Sequence, residues 1–119
     1  MEIADIGTDI VAVPRMQVFL DRPSLMEKAF DPWERDYALG HKDPLPYLAA
    51  RFAVKESIIK ILRTVTIMEA RNIIVGEHGR VRLTGEAARV MKEMGIRHFF
   101  VSISHERDCA LAFVIGVRG

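Results

Sequence analysis

Residues 44–62 read Pro44-Leu45-Pro46-Tyr47-Leu48-Ala49-Ala50-Arg51-Phe52-Ala53-Val54-Lys55-Glu56-Ser57-Ile58-Ile59-Lys60-Ile61-Leu62, with no glycine, and no proline after Pro46. A stretch of that length without a breaker is the longest helical candidate in the chain. Strand signals flank it at a distance. Glu2–Val11 alternates loosely and predicts a strand running into Gly7-Thr8-Asp9 and ending there. His98–Ser104 and Cys109–Val117 are β-rich runs joined by His105-Glu106-Arg107-Asp108. Asn72–Val75 and Arg80–Leu83 predict a hairpin across Gly76-Glu77-His78-Gly79. Shorter helices are expected over Pro14–Asp21, Ser24–Phe30 and Thr84–Met94, the last capped by Gly95. Asp31-Pro32-Trp33-Glu34 opens another, with Asp as N-cap, Pro at N1 and Glu at N3, ending at Leu39-Gly40. The order is an α+β pattern, an antiparallel sheet packed against the long helix, not alternating βαβ units.

A chain of 119 residues, half of them hydrophobic, suits one domain spanning 1–119 with a real core. Seventeen Lys and Arg against sixteen Asp and Glu leave a formal charge of +1. No global field then points to a nucleic acid or a membrane surface. The longest apolar run, Ala110–Val117, is far short of the ~20 residues a bilayer requires. The opening Met1-Glu2-Ile3-Ala4-Asp5 carries acids where a signal peptide carries bases. A single cysteine, Cys109, makes neither an internal disulfide nor a Cys-rich zinc site. The expectation is a cytoplasmic domain.

Placed at 100° per residue, Ala49, Phe52, Ala53, Glu56 and Ile59 of the long helix fall within about 120° of one another. Glu56 therefore sits in a small apolar face, where a carboxylate is costly to bury unless a cation pairs with it. Lys60 lies one turn on, and Arg51 with Lys55 forms a second i,i+4 pair on a neighbouring flank. The bland reading is an ordinary Glu–Lys helix pair, worth a few tenths of a kcal/mol. A sharper one is a metal-binding carboxylate beside phosphate-binding cations, because Mg²⁺ takes one or two protein carboxylates and leaves its other positions to water and phosphate oxygens. Asp9 is the candidate second carboxylate, although a strand-end Asp is more often a turn former. Ser104 and His105, at the end of their strand, can face a ligand.

Other chemistries lack their signatures. The chain holds no Gly-x-x-x-x-Gly-Lys loop, no Gly-x-Gly-x-x-Gly and no His-Glu-x-x-His. His98 and His105 are seven apart and point to opposite faces of a regular strand, against a two-histidine zinc site. No basic stripe is interleaved with aromatic residues, against a nucleic-acid surface.

Three motifs carry a resemblance to a known family. Ile6-Gly7-Thr8-Asp9-Ile10-Val11 with Arg15, then Ala49-Ala50-Arg51-Phe52-Ala53-Val54-Lys55-Glu56-Ser57 with Lys60, then Ser102-Ile103-Ser104-His105 resemble the small 4'-phosphopantetheinyl transferases, the holo-acyl-carrier-protein synthases. They occur in the family's order and span nearly the whole chain. The resemblance implies an α+β fold and a homotrimer with sites between subunits. It also implies Mg²⁺-dependent transfer of 4'-phosphopantetheine from coenzyme A to a serine of apo-acyl carrier protein.

By matched position, the resemblance makes Asp9 and Glu56 the Mg²⁺ ligands and Lys60 the partner of the coenzyme A diphosphate. Arg51, Lys55 and His105 become further coenzyme A contacts. Glu56 and Lys60 carry the catalysis, Glu56 as base directly or through water. Arg15 meets the acidic carrier protein, and Arg22 brackets the same short helix, whose Met16, Phe19 and Leu20, with Met26 close by, offer an adaptable apolar contact. Apolar residues on both faces of the final hairpin (Phe99, Val101 and Ile103 against Ala110, Ala112 and Val114) predict a surface covered by a neighbour. Two places depart from the family pattern. Arg63-Thr64-Val65 stands where the family has Gly-Thr-Gly, and Gly79-Arg80-Val81 where it has Gly-Lys-Pro. The first leaves open whether the helix continues. Two alternatives accompany the reading: the same chemistry on a dedicated secondary-metabolism carrier, and a non-catalytic carrier-binding relative.

Overall fold

The computed structural model describes residues 1–119. In chain order the elements are β1 (Glu2–Ala12), α1 (Gln17–Asp21), α2 (Pro23–Ala29), α3 (Pro32–Leu39), α4 (Leu45–Leu62), β2 (Ile73–Val75), β3 (Val81–Leu83), α5 (Gly85–Glu93), β4 (Ile96–His105) and β5 (Cys109–Arg118). Three strands form an antiparallel sheet in the order β1-β5-β4, and β2 pairs with β3 in a separate two-stranded ribbon. Helix α4 packs across the inner face of the larger sheet, with Leu48, Ala49, Ala53, Val54, Ile58 and Ile61 fully buried.

Several boundaries differ from the sequence reading for identifiable reasons. Strand β1 does not end near Asp9. Val11 and Ala12 still pair with Ala110 and Cys109, so Asp9 is a mid-strand residue opposite Ala112. The stretch from Pro14 divides into a 3₁₀ turn, Val13–Met16, and the short helix α1. A second 3₁₀ segment, Ile67–Asn72, leads into β2 where no regular structure is expected from the sequence. The apolar face drawn on α4 is a flank. Ala49 and Ala53 are buried there, but Phe52, Glu56 and Ile59 are only half-buried, because burial extends round most of the helix.

Gly7 sets the distance between sheet and helix. A Cβ at that position would collide with the Ser57 carbonyl oxygen, so only glycine lets β1 lie this close to α4. With Gly7 facing inward, the strand's alternation turns Asp5, Asp9 and Val11 to the same side. Ile6 and Ile10 point the other way and are exposed.

The final hairpin is corrected in detail. Val101 pairs with Val114 and Ile103 with Ala112, and these side chains share the inner, covered face with Phe99 and Ala110. The uncovered large apolar residues of the sheet are others: Ile3, Ile6, Ile10, Phe100, Leu111 and Phe113. No helix is long and apolar enough to cross a membrane.

Candidate active site

On one side of α4, the Lys60 ammonium reaches the sheet. It donates to the Thr8 carbonyl oxygen at 2.7 Å and to Asp9 Oδ1 at 3.2 Å. Glu56 stands one helical turn earlier. Its carboxyl lies above the ordinary carboxylate range because burial disfavours the anion and Asp9 adds a second negative charge, with Lys60 and Arg15 opposing both. The sequence-expected trio of Asp9, Glu56 and Lys60 therefore comes together, and Arg15 lies close enough for its charge to be felt. No group of three or more metal-ligating side chains is assembled anywhere. Two mutually repelling carboxylates without a third ligand fit a hard divalent ion that keeps water and phosphate oxygens in its remaining positions.

Arg51 belongs to the other side of the helix. Nine positions before Lys60, it lies about 180° round and ~14 Å along the axis. Its guanidinium donates from Nε to the Val75 carbonyl oxygen at 3.0 Å and sits over the rings of Tyr37 (4.4 Å) and Trp33 (5.6 Å). A cavity of about 310 Å³ opens here, between Arg51, Tyr37, the turn Gly76–Gly79, and Val101 with Ile103 of β4. His105 is exposed at the end of β4 and borders a neighbouring groove with Lys42, His41 and Tyr47. His98 faces the opposite side of that strand from His105, as expected. Within one chain, then, Asp9, Glu56 and Lys60 are not joined to Arg51 and His105.

Lys55 corrects the sequence reading. It is completely buried, and its three protons go to Glu34 Oε1 (2.7 Å), the Ala70 carbonyl (2.8 Å) and the Ile73 carbonyl (2.5 Å). A buried ammonium with all donors engaged has no surface to offer coenzyme A. Its i,i+4 relation to Arg51 places the two on one flank, but Lys55 is enclosed by protein where Arg51 borders the cavity.

Arg15 and Arg22 are both exposed, at the two ends of the α1 region. The apolar contact imagined between them is not available. Met16, Phe19 and Met26 are buried, with Phe19 edge-on to Phe30 at 5.2 Å and tilted against Phe52 at 5.6 Å. These side chains are core; the cations, Gln17, Asp21 and, in part, Val18 face outward, and Leu20 is half-buried.

The altered loops resolve differently. Helix α4 does not continue past Leu62. Arg63 adopts φ 62°, ψ −49°, and the Thr64 amide donates to the Leu62 carbonyl at 2.6 Å, a γ-turn of the rarer positive-φ hand. A non-glycine residue thus occupies a conformation that favours glycine, and its guanidinium pairs with Asp5 at 2.6 Å. In the ribbon turn Gly79 keeps φ 71°, with Val101 against the place a Cβ would take.

Sequence reasoning missed two features. One is the aromatic array Trp33, Tyr37, His41 and Tyr47 beside Arg51, with His41 and Tyr47 stacked at 3.6 Å. The four-residue spacing of Trp33, Tyr37 and His41, along α3 and just past its end, is the available signal. The other is Glu34, which served only as a capping residue in that reading.

Comparison with known proteins gives the family of the chain. The sequence pattern of the 4'-phosphopantetheinyl transferase superfamily matches residues 5–114. The holo-[acyl-carrier-protein] synthase of Thermodesulfovibrio yellowstonii is 37% identical over 116 residues, covering 95% of this chain and 97% of that protein. The crystal structure of holo-[acyl-carrier-protein] synthase from Neisseria meningitidis superposes with a TM-score of 0.80 at 31% identity, covering 98% of this chain and 99% of that one. A holo-(acyl-carrier-protein) synthase from Bacillus anthracis, in complex with CoA (3',5'-ADP), matches with a TM-score of 0.73 at 26% identity over the full length of both chains.

Proposed function

This chain belongs to the 4'-phosphopantetheinyl transferase superfamily, and on that footing we propose that it is a holo-acyl-carrier-protein synthase. It moves 4'-phosphopantetheine from coenzyme A to a serine of apo-acyl carrier protein and releases 3',5'-ADP. The observation that carries the reading is the meeting of Asp9, Glu56 and Lys60 across the β1–α4 seam. A module that merely bound a carrier protein would have no use for two carboxylates and an ammonium held together.

The serine oxygen attacks the phosphorus that bears the pantetheine arm, and the bond to the bridging diphosphate oxygen breaks. Lys60, half-exposed beside Asp9, neutralises charge on the departing nucleotide phosphate. A Mg²⁺ ion held by Asp9 and Glu56 would supply further neutralisation of the diphosphate. Glu56 takes the serine proton, directly or through a water; burial and Asp9 make its carboxylate a stronger base than an exposed one. Arg51 and His105 contact coenzyme A, and Arg15 and Arg22 steer the acidic carrier.

The separation of Arg51 and His105 from Glu56 supports a site completed between subunits. So does the uncovered sheet face bearing Ile6, Ile10, Phe100, Leu111 and Phe113. We place the assembly as a homotrimer, in the cytoplasm with its carrier protein. The decisive experiment is a mass measurement of apo-acyl carrier protein after incubation with this protein, coenzyme A and Mg²⁺. A gain of one phosphopantetheine is expected, and an unchanged mass overturns the reading.

A further inference from the structure

Strand β2 is only three residues long, and its last residue, Val75, has both backbone groups taken by ionic side chains. The Val75 amide donates to Glu34 Oε2 at 2.9 Å, and its carbonyl accepts from Arg51 Nε at 3.0 Å. Glu34 is completely buried on α3. Its other oxygen accepts from the Asp31 amide at 3.0 Å and from Lys55 at 2.7 Å. Lys55 in turn holds the carbonyls of Ala70, on the segment that leads into β2, and of Ile73, the strand's first residue. Two residues of α4, four positions apart, thus grip the same short strand, Lys55 at its entry and Arg51 at its exit. The exit is the turn Gly76–Gly79 that walls the cavity beside Arg51.

We propose that Glu34 and Lys55 form a buried positioning pair that fixes the β2–β3 turn and, through the Val75 peptide, the direction of the Arg51 guanidinium at the coenzyme A site. The inference rests on the reading of Arg51 as a coenzyme A contact. Three N–H donors converge on Glu34 and three acceptors surround Lys55, so a carboxylate and an ammonium leave no polar group of the pair unsatisfied. Removing one leaves the other buried and unpaired, and the strand end loses its anchor. Lys55 touches no ligand in this scheme.

The test is coenzyme A titration by calorimetry together with steady-state kinetics on Glu34→Gln and Lys55→Met. Both variants are expected to raise Kd and KM for coenzyme A about tenfold while kcat moves less than about threefold. The salt dependence of coenzyme A binding should stay as in wild type for Lys55→Met, whereas Arg51→Gln flattens it by removing a charge that meets phosphate. Hydrogen exchange on the unmodified protein gives a second readout, independent of any variant's folding. Saturating coenzyme A should slow exchange at the Val75 and Gly76 amides. Variants that lose thermal stability but keep the wild-type KM, or exchange at Val75 and Gly76 indifferent to coenzyme A, overturn the proposal and leave the transferase reading standing. A wild-type protein that binds no coenzyme A overturns both.

Discussion

Lys60 on α4 and Asp9 on β1 meet with Nζ 3.2 Å from Oδ1, and Glu56 shares the same patch of field one turn earlier. The strand contributes one carboxylate, the helix the other, and the ammonium lies beside the first. Everything expected of the site depends on that seam staying closed.

Glu56→Gln separates stability from activity. Transfer should fall about a hundredfold or more, since a charge stabiliser and a base are both lost. The metal-free variant should nevertheless melt higher than wild type at neutral pH. Glu56 has a raised folded-state pKa, so its contribution is present below the unfolded value of 4.5 and is lost as pH rises through the folded one. Its anion is therefore a liability at pH 7, which Gln removes. The gain should shrink as pH is lowered below 4.5, and thermal melts across pH check it.

Asp9→Asn should bring the Glu56 carboxyl down toward its ordinary value, because one of the two causes holding it up is gone. Lys60→Met should push it further up. Carboxyl titration by NMR on metal-free protein reads both shifts, and movement in the reverse sense would contradict the geometry.

Arg63→Gly should stabilise the fold by about 1 kcal/mol, the relief of a positive-φ side chain outweighing one exposed ion pair. The ion pair lost is with Asp5, and the Arg63 side chain is 73% exposed. Denaturant unfolding measures the difference. A loss of stability would mean that the Asp5 contact matters more than the backbone strain.

Phe113→Glu tests the uncovered sheet face. Light scattering should report a trimer for wild type and a monomer for the variant, with transfer lost because Arg51 and His105 no longer meet Glu56 of a neighbour. An active monomer would place the whole site within one chain.

Much of the architecture was readable before any tertiary structure, because its signals are local. Asp31-Pro32-Trp33-Glu34 marks a helix start through bonds that span three residues, and the capping box forms as the pattern requires. The long helix follows from the absence of breakers after Pro46, and the Gly76–Gly79 turn from its glycines. The end of β1 is not legible in the sequence, because Gly7-Thr8-Asp9 looks like a turn. Pairing of Val11 and Ala12 with β5, some hundred residues away, carries the strand through it.

Helical spacing and a strand-end carboxylate are enough to pick out Asp9, Glu56 and Lys60 as residues worth watching. Only the packed structure decided which cation belongs to which acid. Arg51, Lys55 and Lys60 look alike in sequence, each a base at helical spacing from another charge. In the fold one stacks on aromatic rings beside a cavity, one is sealed against Glu34, and one reaches Asp9. Spacing along a helix sets the angle between side chains but not what stands at each angle. That is decided by how closely the sheet, the ribbon and α3 approach the helix, and for β1 a missing Cβ at Gly7 permits the approach.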